Sequence, residues 1–181
     1  MKIKQRIFIL DGPDQCGKSE ISQHLAKTLK IPYFKNSIDK KAFANDDENY
    51  FQNCMRYAEP FWLSYLEQSK TSVVMDRGYL SEAVYSKVFS RETDHDLIMK
   101  LDEMYSKLNT YIVFCFRSSY TGWYDDFDPK RIDSKTLWKL DSEYRLFLNT
   151  TKCRVINLCV DSHNLNEQTN VILDLVKRHE R

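Results

Sequence analysis

The chain has 181 residues, 42% of them hydrophobic, which suits a single domain over 1–181 with a full core and gives no case for a second. Lys and Arg total 27 against 26 Asp and Glu, a net charge of +1 that excludes a global basic field for nucleic acid, although a local groove stays open. The five cysteines, Cys16, Cys54, Cys115, Cys153 and Cys159, form no C-x-x-C pair, and no apolar run approaches signal-peptide or membrane-spanning length, so a soluble cytoplasmic protein with reduced thiols and no membrane partner is expected.

In chain order, short apolar runs alternate with helical periods, the pattern of an α/β fold with a parallel sheet and helices on both faces. A strand over about residues 6–10 precedes a helix over about 18–30, where Ile21, Leu25 and Leu29 share a face and Pro32 acts as a stop. A short strand near 33–35 follows, then a helix over about 47–58 that Pro60 is expected to interrupt before it resumes over about 61–68. The next strand, about 72–75, runs into a helix over about 79–89. Thr93 to Asp96 resembles a capping box opening a helix that carries Leu97, Leu101, Met104 and Leu108. The clearest buried strand is about 111–116, an aperiodic stretch covers 117–133, and a helix over about 134–149, a strand over 155–158 and a helix over 165–179 complete about five strands. In such sheets ligands sit beyond the carboxyl ends of the strands, so the residues just after each strand are the ones to examine.

Gly12-Pro13-Asp14-Gln15-Cys16-Gly17-Lys18-Ser19 fits G-x-x-x-x-G-K-[ST] at every fixed position, directly after the apolar run Ile7-Phe8-Ile9-Leu10. This is a phosphate-binding loop in the context it requires: glycines let backbone curl round a phosphate, N–H groups point inward, and the helix that follows adds its positive end. ATP is the expected ligand, with Lys18 reaching the terminal phosphates and Ser19 holding Mg2+. Asp76-Arg77-Gly78 leaves the end of the apolar run Val73-Val74-Met75. An acid there suits the hydration shell of a phosphate-bound magnesium or an incoming proton, and the planar fork of Arg77 suits phosphate oxygens.

Together, Leu10 to Ser19 and Asp76-Arg77-Gly78-Tyr79-Leu80-Ser81-Glu82-Ala83-Val84-Tyr85-Ser86 resemble the motifs of thymidylate kinases and the related deoxynucleoside kinases, E-G-x-D-x-x-G-K-[ST] and D-R-Y-x-x-S-x-x-A-Y. The resemblance is strong in these two motifs and loose elsewhere. It implies a P-loop three-layer fold, with Asp14 near the acceptor's sugar hydroxyl and Arg77 gripping the acceptor phosphate. It further implies that Lys35 meets that phosphate, that Arg56 reads the pyrimidine edge, and that Phe51 or Tyr50 is the stacking ring. Phe51 stands five residues before Arg56, a departure from the family's spacing. Gln15 also departs from it, standing where some members carry a catalytic arginine. The compensating charge is then expected from a lid over 117–133, in Arg117 or Arg131, with Trp123, Tyr124 and Phe127 either closing over a base and excluding water or anchoring the long loop. In that stretch Arg117, Lys130 and Arg131 balance Asp125, Asp126 and Asp128. The stretch Cys159 to His163 is where the family covers adenine.

The resulting expectation is an ATP- and Mg2+-dependent kinase acting on a small-molecule acceptor, foremost a pyrimidine deoxynucleotide. An alternative is a hydroxyl acceptor on a nucleoside or on a hydroxymethyl pyrimidine within DNA, which would make DNA a partner. A second is a nucleotide-hydrolysing switch or binding module, against which no N-K-x-D guanine-reading motif is found. A homodimer stays open.

Overall fold

In the computed structural model, residues 5–36, 53–123, 132–161 and 164–180 are described. β1 (Ile7–Asp11) is buried along its whole length, as a strand flanked by neighbours and covered on both faces must be. α1 (Lys18–Leu29) buries Ile21, Ser22, Leu25 and Ala26 on one face, and closes on Lys30 in the left-handed conformation, whose N–H returns to the Ala26 and Lys27 carbonyls. β2 (Tyr33–Lys35) follows at once.

Next comes a π-helical segment, Cys54–Ala58, running without a break into α2 (Glu59–Ser69). Pro60 was expected to interrupt a helix here, and instead it sits in the first turn of α2. The wider turn before it, in which the Glu59 N–H reaches back to the Cys54 carbonyl, accommodates a ring that has no N–H to donate.

β3 (Val73–Asp76), α3 (Tyr79–Val88), α4 (His95–Ser106) and β4 (Thr110–Phe116) continue the chain. The cap of α4 lies one residue beyond the expected Thr93: Asp94 accepts the Leu97 N–H at 2.9 Å. α5 (Ser134–Leu148) is capped by Asp133, and α6 (Leu165–His179) by a reciprocal pair between Asn164 and Glu167; β5 (Arg154–Cys159) lies between them.

The strands form one parallel sheet in the order β2-β3-β1-β4-β5. The chain leaves β1 for β2 at one edge and later passes from β3 across β1 to β4, so the connections from the neighbouring strands β1 and β3 run in opposite directions and a crevice opens beyond their carboxyl ends. The register aligns that edge: Leu10 lies opposite Asp76 and Val113, and Asp76 opposite Lys35. The core is rich in buried tyrosines whose hydroxyls meet acids. Tyr79 donates to Asp102 at 2.6 Å, Tyr105 to Glu59 at 2.5 Å and Tyr144 to Asp11 at 2.7 Å. A phenol supplies ring area to a core and one donor that must be satisfied there.

Candidate active site

β1 hands the chain to Gly12, where a Cβ would lie 2.1 Å from the Cys115 carbonyl oxygen on β4 and φ is +145°, so only glycine fits. Gln15 and Gly17 are also left-handed, at φ 63° and 62°, curling the loop into the form whose successive N–H groups converge on an anion. α1 begins at Lys18, which adds the positive end of a helix to the same concavity. Lys18 is buried and its Nζ donates to the Pro13 carbonyl at 2.5 Å. Burial, reinforced by the like charge of Arg77, pushes its ammonium down from the usual lysine range, against the pull of Asp14.

Ser19 opens the first turn of α1 and its hydroxyl donates to Asp76 Oδ2 at 2.5 Å. The same oxygen accepts the Tyr33 hydroxyl at 3.1 Å, and Lys35 Nζ stands 4.0 Å from it. Two hard oxygen donors from different elements, with no soft ligand beside them, fit a magnesium ion held mainly by phosphate and water. Ser19 and Asp76 would hold such an ion, which supplies neutralising charge to a transferring phosphoryl group.

Arg77 adopts φ 69°, a sparsely populated conformation for a residue with a side chain. From it the guanidinium makes an ion pair with Asp14, donates to the Tyr85 hydroxyl at 3.2 Å, and approaches Asp11 at 3.8 Å. Tyr85 donates in turn to Asp14 at 2.6 Å. Burial raises the Asp14 carboxyl, but Arg77, Lys18 and Tyr85 outweigh it and leave Asp14 below the usual carboxylate range. For Arg77, burial lowers the guanidinium, while Tyr85, Asp14, Tyr144 and Asp11 more than compensate, so its charge is secure.

Behind this pair lies Asp11, fully buried, which accepts the Gly12 N–H at 2.9 Å, the Gly78 N–H at 3.2 Å, the Tyr144 hydroxyl at 2.7 Å and the Ser81 hydroxyl at 2.8 Å. Ser81 and Tyr85 lie in the second sequence motif but carry no assigned role from it, and Tyr144 had no signal beyond a place on a helical stripe.

The structure therefore brings Gly12 to Ser19, Lys35, Asp76 and Arg77 around one crevice. Other expected residues lie apart or are committed. Arg117 donates to the Gln15 carbonyl at 2.8 Å, pairs with Asp161 at 3.1 Å and lies against the Trp123 ring at 3.9 Å. Arg56, on the π-helical segment, is half exposed and makes an ion pair at 3.8 Å with Asp94. Phe51, Tyr50 and Arg131 lie outside the described residues, as do Tyr124, Phe127, Lys130, Asp125, Asp126, Asp128 and His163. On the other flank of the loop, a cleft of about 580 Å³ runs between α1 and the start of α6, lined by Gly17, Glu20, His24, Arg117, Asn164 and Gln168. It adjoins the stretch expected to cover a base. Among the described residues there is no group of three or more His, Cys, Asp or Glu that would hold a metal by itself.

No family model matches the chain. A curated relative, the SPbeta prophage-derived protein YorR of Bacillus subtilis, is 32% identical over 83 residues, so the matched region spans 46% of this chain and 44% of that protein. The crystal structure of YorR in complex with phosphorylated GDP superposes with a TM-score of 0.65 at 20% identity, covering 97% of this chain and 98% of that one. A deoxyadenosine kinase from M. mycoides, solved with dCMP and dCDP, gives a TM-score of 0.61 at 16% identity over 96% of this chain and all 100% of its own. Thymidylate kinase from Candida albicans gives 0.59 at 14% identity over 98% and 93%. The five-stranded parallel sheet is thus the fold of P-loop kinases, as the motifs implied.

Proposed function

We propose that this chain is an ATP- and Mg2+-dependent phosphotransferase, built as one kinase domain over 1–181, that acts on a nucleoside or nucleotide acceptor, foremost a pyrimidine deoxynucleotide. One observation carries the reading: the Ser19 hydroxyl donates to Asp76 at 2.5 Å, which joins the phosphate loop and the Asp76-Arg77-Gly78 motif in a single crevice. The loop amides and Lys18 would hold the donor's phosphates, and Arg77 and Lys35 would face the acceptor. The acceptor oxygen then attacks the γ-phosphorus while the bond to the β-phosphate oxygen breaks and ADP leaves. Positioning and charge neutralisation supply most of the acceleration for such a transfer. The fold neighbours support a phosphotransferase, since they include a deoxyadenosine kinase, a thymidylate kinase and a shikimate kinase, and the first two favour a nucleoside or nucleotide acceptor.

A hydroxyl acceptor, on a free nucleoside or on a hydroxymethyl pyrimidine in DNA, is the second reading, and the charge balance favours it. Apart from Lys18, which faces the donor's phosphates, Arg77 is paired with Asp14 and near Asp11, and Lys35 stands beside Asp76, so among the described residues on the acceptor side three carboxylates meet two cations. That balance suits an uncharged acceptor better than a phosphate dianion, and leaves Asp14 or Asp76 to take the hydroxyl proton.

Incubation with γ-labelled ATP and, separately, deoxynucleosides, their monophosphates and hydroxymethyl-bearing DNA tests both readings. Transfer to one class is expected, with Lys18→Ala lowering it by about 100-fold or more in a folded protein. Failure with every class, alongside slow hydrolysis of ATP, would refute the kinase reading in favour of a nucleotide-dependent switch.

A further inference from the structure

We propose that Asp11 is a positioning residue that sets Arg77 against the phosphate loop, so that the donor and acceptor halves of the crevice are held in one register; the proposal rests on the kinase reading above. Asp11 is the last residue of β1 and is fully buried. Its Oδ1 accepts the Gly12 N–H at 2.9 Å and the Tyr144 hydroxyl at 2.7 Å, its Oδ2 accepts the Gly78 N–H at 3.2 Å, and the Ser81 hydroxyl lies 2.8 Å from both oxygens. These donors come from the start of the phosphate loop, from the turn after β3, from α3 and from α5. Among the described residues no other carboxylate accepts backbone N–H groups from both loops.

The link to Arg77 is through the backbone. The Arg77 N–H donates to the Leu10 carbonyl at 2.9 Å and the next N–H, that of Gly78, donates to Asp11, so the end of β1 grips two successive amides of the turn. Holding both requires Arg77 to keep φ at 69°, a conformation costly enough that the surroundings must impose it. Gly78 itself has no room for a side chain there, because a Cβ would lie 2.8 Å from Ile9 Cγ2. From this backbone the guanidinium reaches Asp14 on the phosphate loop and Tyr85 on α3, with Nη1 3.8 Å from Asp11. A neutral amide in place of the carboxylate would turn an N–H₂ donor toward groups that are themselves donors, and would remove the second acid beside Arg77, 3.8 Å from its Nη1.

A double-mutant cycle between Asp11→Asn and Arg77→Ala, read as kcat/KM for whichever acceptor is turned over, tests the assignment. Each single change is expected to lower it by about tenfold or more, with the KM for ATP moving less than about threefold, and the double variant should be no worse than Arg77→Ala within about threefold. Losses that multiply in the double variant, or an ATP KM that rises as much as the acceptor's, would overturn the proposal. Tyr144→Phe keeps the packing and removes one of the bonds to Asp11, so it carries the cycle if Asp11→Asn does not fold; its loss of several-fold should likewise vanish on the Arg77→Ala background, and persistence there counts against the role. If the wild-type chain phosphorylates nothing, the kinase reading has failed separately, and the coupling is then read from backbone amide resonances. In Asp11→Asn or Tyr144→Phe those of Arg77 and Gly78 should shift, and their constancy would overturn the proposal.

Discussion

Replacing Glu59 by Gln should stabilise the protein increasingly as pH rises. Glu59 opens α2, is buried, and accepts the Tyr105 hydroxyl on Oε2 at 2.5 Å, while Oε1 lies 3.4 Å from the Asn36 side-chain amide. Among the described residues no Lys, Arg or His makes an ion pair with it. Burial without a counterion pushes its carboxyl from 4.5 up to about 7, against the lowering effect of Tyr105 and with a small further rise from Asp11. A raised carboxyl is a stabilising group only while protonated: its contribution is whole below 4.5, declines by about one proton's worth per pH unit above that, and is gone above about 7. The shift from 4.5 to about 7 amounts to roughly 3 kcal/mol at full ionisation. Gln keeps an acceptor for Tyr105 and never ionises. Urea unfolding of both proteins at half-unit steps from pH 4.5 to 8.5 should therefore show the variant gaining roughly 3 kcal/mol on the wild type across that range. A difference that stays flat with pH would refute the argument that Glu59 is held without a compensating charge.

Three further outcomes follow from the crevice. Gly12→Ala should lower stability by several kcal/mol, on the order of a severe core clash, and abolish nucleotide binding, since its Cβ would meet the Cys115 carbonyl at 2.1 Å; thermal melts with and without ATP measure both. Asp76→Asn should raise the magnesium concentration for half-maximal transfer by about tenfold while leaving the fold intact, because the Ser19 hydroxyl keeps an oxygen acceptor; activity titrated against Mg2+ reads it. Asp161→Asn removes the partly exposed ion pair that fixes Arg117 at 3.1 Å but keeps an acceptor for the Ser118 N–H, so the KM for ATP should rise by about fivefold or less with kcat nearly constant in steady-state assays.

What could be read in advance is local. β1 and β4 announce themselves because a strand covered on both faces must be apolar at every position, and the phosphate loop announces itself because its glycines answer to a backbone constraint within eight residues. Asp76 and Arg77 were legible as the point where a buried strand runs out into charge. The partners of these groups were not legible. Tyr144 reaches Asp11 across 133 positions, and Tyr105 reaches Glu59 across 46; nothing in a helical stripe distinguishes a tyrosine that meets an acid from one that only packs. Arg117 could be placed after β4, but its commitment to the Gln15 carbonyl, Asp161 and Trp123 depends on loops that meet only in the folded chain. Pro60 misled in a different way, since a proline reads as a break until its position in the first turn of a helix is known.

The central claim is that donor and acceptor are gripped across one crevice, by the phosphate loop on one side and Arg77 on the other. Calorimetric titration with an analogue that tethers adenosine to an acceptor nucleoside through a polyphosphate chain tests it most directly. The account predicts binding at least about tenfold tighter than ATP alone, as expected when two subsites are joined, with that gain lost in Arg77→Ala and binding itself lost in Lys18→Ala. An analogue that binds no better than ATP, or one whose affinity Arg77→Ala leaves unchanged, would contradict it.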